Sequence, residues 1–225
     1  MKKELYAQCI PYNENIKGRI GGPPPIIIEN EIPKGYGFYA TFVHPDKEDK
    51  MLSICIAKDF KFLLDNSRYP YTAIKVIEHT YSPMGNSIEK SLEDFEGAKA
   101  SISRYESNEF EFDFIQVRGT PIFIQANAWY WENIDKDKYS FFLSINEEGY
   151  IDGLVDILCF GAIYLYQNNE TKEIISEPVG SRFNALATVG EGTVQLALQS
   201  KQRYGCDRST CTPRRTTKRR QPDNT

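Results

Sequence analysis

Gly21-Gly22-Pro23-Pro24-Pro25-Ile26-Ile27-Ile28 and Gly119-Thr120-Pro121-Ile122-Phe123-Ile124-Gln125 are two similar phrases in a chain of 225 residues. In each, glycine supplies backbone freedom, proline fixes the next turn, and a β-branched or aromatic run follows that suits a buried strand. Gly22 and Gly119 stand 97 residues apart, an offset compatible with a duplicated body. Fourteen Tyr and thirteen Phe dominate an aromatic content of 13%. Such rings suit sheets that bury one face.

Working outward from these phrases, residues 37–43 and 52–57 read as strands around the turn-prone Pro45-Asp46-Lys47-Glu48-Asp49-Lys50, a hairpin. Residues 72–80, 139–145 and 160–166 read as further strands, with a turn at Asn146-Glu147-Glu148-Gly149. Glu109-Phe110-Glu111-Phe112-Asp113-Phe114 alternates strictly, which in a strand puts three phenylalanines on the buried face and three carboxylates on the other. Over residues 87–106 the period changes. Ile88, Leu92, Phe95, Ile102 and Tyr105 recur at helical spacing, with Asn86 or Ser87 as N-cap and Gly97 near the middle, and predict an amphipathic helix.

The predicted fold class is therefore α+β: mainly antiparallel β-sheet with a two-fold internal repeat, an amphipathic helix and a disordered basic C-terminal tail. Residues 1–198 form the domain, as halves of about 1–85 and 107–198 joined by helix 87–106. From Gln199 onward eight basic residues face two acidic ones, a balance of +6, which leaves −10 for the rest of a chain whose total is −4. That asymmetry, with few apolar residues after Tyr204, marks residues 199–225 as a solvated tail. Without interleaved aromatics it offers nucleic acid only weak electrostatic contact.

Gly21-Gly22-Pro23-Pro24, Gly119-Thr120-Pro121-Ile122-Phe123-Ile124-Gln125, Phe141-Phe142-Leu143 and Gly161-Ala162-Ile163-Tyr164 together resemble the YwqG-like family, a bacterial domain of unknown function, over roughly residues 18 to 170. The chain departs from the family pattern at Ser144, where that pattern has Gln, and at Ala162, where it has a second glycine. The resemblance implies a duplicated, largely antiparallel α+β body and no known activity.

Chemistry is sparse. Cys9, Cys55, Cys159, Cys206 and Cys211 form no disulfide framework, and with two histidines in the chain no metal-ligand spacing or cofactor motif emerges. Cys55 and Cys159 lie in apolar runs and read as core. His44 reads as a residue of a polar turn and His79 as an exposed strand end, so no nucleophile and base are paired and no catalytic residue is assigned. Met1-Lys2-Lys3-Glu4 is not followed by an apolar signal core, and no run reaches the ~18 apolar residues of a membrane span, so a cytoplasmic location and no membrane partner are expected.

Two functions are expected. The first is an acidic protein-binding module, such as an immunity protein that neutralises a basic bacterial toxin, docking through Glu109, Glu111 and Asp113 with Trp129 and Trp131 as aromatic anchors. The alternative is an enzyme or small-ligand protein with a cleft between the halves, lined by Arg118 and Gln125.

Overall fold

The computed structural model describes residues 3–60, 73–108, 113–123, 134–158 and 161–179. All of these lie in the first of two compact units, Met1–Asn184, the second being Ala185–Thr225. The described residues contain eleven strands: β1 (Leu5–Ala7), β2 (Cys9–Pro11), β3 (Gly18–Gly21), β4 (Tyr36–His44), β5 (Lys47–Ala57), β6 (Ile74–Thr80), β7 (Ala98–Ile102), β8 (Ile115–Val117), β9 (Tyr139–Asn146), β10 (Ala162–Asn168) and β11 (Ile174–Val179). They form a five-stranded sheet, β1-β8-β9-β10-β11, and a six-stranded sheet, β2-β7-β3-β4-β5-β6. Every strand pair is antiparallel.

This corrects the α+β prediction. No α-helix occurs among the described residues, and the helical turns are short 3-10 segments at Ile26–Ile28, Ile88–Lys90 and Glu147–Gly149. The helix expected over 87–106 is instead a 3-10 turn, an irregular stretch and β7, which is inserted between β2 and β3. Leu92, Phe95 and Ile102 are buried, but Ile88 is 54% exposed and Asp94 adopts a left-handed φ of 69° that a helix does not permit. Their spacing is met by separate long-range contacts, since Leu92 N donates to Phe38 O at 2.9 Å and Phe95 O accepts from Gly22 N at 2.8 Å.

Both glycine–proline phrases also depart from expectation over their described residues, none of which lies in a strand after the glycines. Pro23, Pro24 and Pro25 have no N–H for a ladder, so the chain leaves β3 and makes a 3-10 turn in which Ile28 is buried while Ile26 and Ile27 are about half exposed. After β8, Gly119 to Phe123 is irregular and Ile122 is 70% exposed. Ile124 and Gln125 lie outside the described residues.

One core lies between the sheets. Leu52, Ile54 and Ile56 of β5 alternate inward, and they join Ile20, Tyr39, Phe42, Ile115, Val117, Leu143, Ile145, Ile163 and Leu165. A bulge between Phe38 and Ala40 lets adjacent Tyr39 and Ala40 both enter the core. The chain passes between sheets at Gln8, whose N–H donates to Ser103 Oγ and whose carbonyl accepts from Ser103 N, both at 2.9 Å. On the opposite side, Ser176 Oγ of β11 donates to Ile74 O of β6 at 3.0 Å. Phe114 is fully buried at the entrance to β8, whereas Phe110 and Phe112 lie outside the described residues.

Candidate functional site

The outer face of the six-stranded sheet carries a row of polar side chains. Cross-strand pairing sets Ser101 of β7 opposite Arg19 of β3, Arg19 opposite Thr41 of β4, and Thr41 opposite Ser53 of β5. His79 of β6 completes the row, one pair further along, opposite Met51. All five are buried. Burial of so many polar groups requires partners, and they have them. Ser101 Oγ accepts from Asn13 N at 2.8 Å and donates to Asn13 O at 3.1 Å. Ser53 Oγ lies 3.0 Å from Thr41 Oγ1 and 2.8 Å from His79 Nε2. His79 Nδ1 lies 2.6 Å from the Thr80 carbonyl, which only accepts, so Nδ1 carries the proton and Nε2 accepts from Ser53. Burial pulls the His79 pKa down and favours this neutral ring.

Arg19 is the centre of the row, and the Gly-Gly-Pro phrase wraps it. Nη1 donates to Gly21 O and Nη2 to Pro23 O at 2.5 Å, while the guanidinium lies 4.8 Å over the Phe38 ring. Gly21 and Gly22 both hold φ near +78°, where side chains are strained, and a Cβ on Gly22 would sit 2.8 Å from Met84 Sδ. Burial lowers the Arg19 pKa to about 10, so the group remains charged at neutral pH. Among the described residues no carboxylate forms an ion pair with it.

Two loop segments roof this face. Residues 12–17 pass over one side, and residues 81–84 over the other. The second is fastened to the triple-proline segment, with Ile26 N donating to Pro83 O at 3.1 Å and Gly85 N to Pro24 O at 2.9 Å. Between them lies a pocket of about 70 Å³, bounded by Tyr12, Glu14, Lys17, Arg19, Thr41 and His79 with Tyr81, Ser82 and Met84 at its rim. Lys17 Nζ stands 5.2 Å from the Tyr81 ring centroid. The geometry can recognise an oxyanion. Ser53 lies wholly buried behind Thr41, so its contact with His79 is not presented to a substrate for nucleophilic attack.

The residues expected from sequence are placed as follows. Glu109, Glu111, Trp129, Trp131 and Gln125 lie outside the described residues. Asp113 is half-buried beside Phe114, immediately before β8. Arg118 is held in a structural bridge, its Nη2 on Asp46 and its Nη1 donating to Lys3 O at 3.0 Å. Both histidines correct their predicted exposure. His44 is 1% exposed, accepts from Asp46 N at 3.0 Å through Nδ1 and packs 5.4 Å from the Phe142 ring. His79 is 7% exposed because Ser53 and the roofing loops enclose it.

Glu147, in the turn expected at residues 146–149, is 3% exposed. Its Oε1 accepts from Ile157 N at 2.6 Å and Leu158 N at 2.7 Å, and Oε2 has no hydrogen-bond partner among the described residues. Burial raises its pKa to about 8. Tyr39 and Tyr150, joined through their hydroxyls, feel its charge, and burial foremost pushes both phenols well up. The turn residues around Glu147 carry no signal of this in sequence. Cys55 behaves as predicted for a core thiol, fully buried and pushed up to about 12 by desolvation.

Among the described residues no His, Cys, Asp and Glu group could hold a metal ion, and no helix is long and apolar enough to cross a membrane. No protein-family model, curated protein or solved structure matches the chain.

Proposed function

We propose that this protein is a binding module for a basic protein partner, in the manner of an immunity protein that neutralises a cationic bacterial toxin. One observation carries the reading. Eight large hydrophobic residues are exposed among the described residues, and five of them, Tyr12, Ile26, Ile27, Tyr81 and Met84, belong to the segments that line the pocket or are bonded to them. The segments bearing Ile26, Ile27 and Met84 are paired to each other, and Tyr12 shares the pocket rim with Tyr81 and Met84. Exposed apolar side chains gathered on neighbouring segments favour protein association, and aromatic and methionine side chains are its usual anchors. The −10 balance of residues 1–198 favours rapid encounter with a cationic partner. Glu109, Glu111, Asp113, Trp129 and Trp131 belong to this proposal as a second contact region, and kinship with the YwqG-like proteins belongs to it as well.

The test is capture from the native host by the purified protein, in low and high salt, with wild type, Tyr81→Ala/Met84→Ala and Ile122→Ser as baits. A basic protein retained by wild type and Ile122→Ser, lost with the double variant and released by salt is the expected result. Equal retention by all three baits would remove the roof as the contact surface.

A further inference from the structure

We infer that the pocket over Arg19 is a binding site for a carboxylate group. A guanidinium that is 7% exposed is costly to bury without an anion, and the described residues supply it with two carbonyls and a phenyl ring but no carboxylate. Two of its five N–H donors go to Gly21 O and Pro23 O, which pin the planar fork in place and leave three without a described acceptor. The fork is thus preorganised for a planar, two-oxygen acceptor.

The surroundings narrow the ligand further. Lys17 contributes a second cation at the mouth, and Tyr12 and Tyr81 contribute phenol groups. Glu14 is the one carboxylate lining the pocket, and no ion pair joins it to Arg19 or Lys17. The pocket, about 70 Å³ and open to solvent, has room for a group of carboxylate size. The group is either that of a free small acid or that of an aspartate or glutamate side chain presented by a docked chain. The site shares Tyr12, Tyr81 and Met84 with the roof but requires no basic partner, so acetate binding tests it apart from the docking proposal.

The chain's two histidines provide the readout. His79 lines the pocket, whereas His44 is buried beside Phe142 and serves as the internal reference. Sodium acetate is titrated against the full chain at constant ionic strength, with chloride as the control salt, and both imidazole resonances are followed by NMR. The expected result is a saturating shift at His79 alone. Glu14→Gln should tighten acetate binding and Lys17→Gln weaken it, each by roughly two- to fivefold, as charges at the mouth of a partly screened site do. Arg19→Gln should abolish saturation. Should that variant fail to fold, the two mouth variants decide, because a merely structural Arg19 would leave acetate without effect in all of them. A linear drift identical to chloride, or saturation indifferent to Glu14 and Lys17, overturns the site. A second titration separates the sources: a short blocked peptide with one glutamate between two leucines binds more tightly than acetate, and is weakened by Tyr81→Ala, if the carboxylate comes from a docked chain. It binds no better than acetate if the ligand is a free acid.

Discussion

On the outer face of the five-stranded sheet, Ala162, Tyr164, Tyr166 and Ile175 form an apolar layer with Ile134, against which Phe123, Tyr139 and Phe141 pack. The corresponding face of the six-stranded sheet carries Ser101, Arg19, Thr41, Ser53 and His79 under a roof that leaves a pocket. The first face is closed by the same physics as the core: large rings seal it, and Tyr164 turns its hydroxyl to Ile122 O at 2.7 Å. The second keeps its polar atoms satisfied laterally and holds one buried cation that forms no ion pair among the described residues. One sheet therefore seals its outer face with aromatic rings, and the other keeps polar side chains and a small pocket on its outer face.

Substitutions on the two faces can break or sharpen this contrast. The largest effect belongs to the sealed face. Tyr164→Ala removes a ring that is 1% exposed, together with its contact to Phe123, and should destabilise the fold by about 3–5 kcal/mol in urea unfolding. A loss under about 1 kcal/mol, the scale of a surface substitution, would show that this face is not a second core.

Glu147 supplies the contrast from the main core, where polar burial is incomplete. Its folded-state pKa of about 8 lies above the ordinary 4.5, so the folded protein holds the extra proton across that window and stability falls as pH rises through it. Glu147→Gln mimics the protonated carboxyl, keeps an acceptor for Ile157 and Leu158, and should stabilise the protein at pH 9 by on the order of 3 kcal/mol. Below pH 4.5 the benefit should vanish. Melting curves at the two pH extremes check this; equal melting shifts at both would contradict it.

On the polar face, Ser53→Ala leaves the buried Nε2 of His79 without its donor and should cost about 1–3 kcal/mol. A neutral outcome would mean that the polar row is not a coupled network. The smallest stability effect is expected from Tyr81→Ala, within about 0.5 kcal/mol because the side chain is 54% exposed, even though it should reduce partner retention. A large stability loss there would turn the roof into core and remove the contrast.

Alternation and β-branched content made β4, β6, β9 and β10 legible to within about two residues, because a half-buried strand must repeat every second position, whereas β5 begins at Lys47, inside the turn expected over residues 45–50. The same argument buried Phe114 correctly. The segment 87–106 misled for a physical reason: apolar residues at helical intervals prescribe that each be buried, and Leu92, Phe95 and Ile102 are, but the spacing is equally satisfied by a loop and a strand once Phe38 O and Gly22 N supply the hydrogen bonds. Of the polar face, the sequence offered Arg19, Thr41 and Ser53 as scattered polar positions and gave no reason to join them.

Length, charge asymmetry, the absence of a metal-ligand spacing and the strand-rich character are properties of composition and local period, so the sequence by itself determined them. The tertiary structure decided which strands are neighbours. A period of two assigns a residue to a face but not to a partner, and only antiparallel register across β7, β3, β4 and β5 brings Ser101, Arg19, Thr41 and Ser53 into one row. The same register, with a turn of two left-handed glycines before three prolines, wraps Arg19 in backbone carbonyls, and that long-range closure makes a pocket from residues that local reading leaves apart.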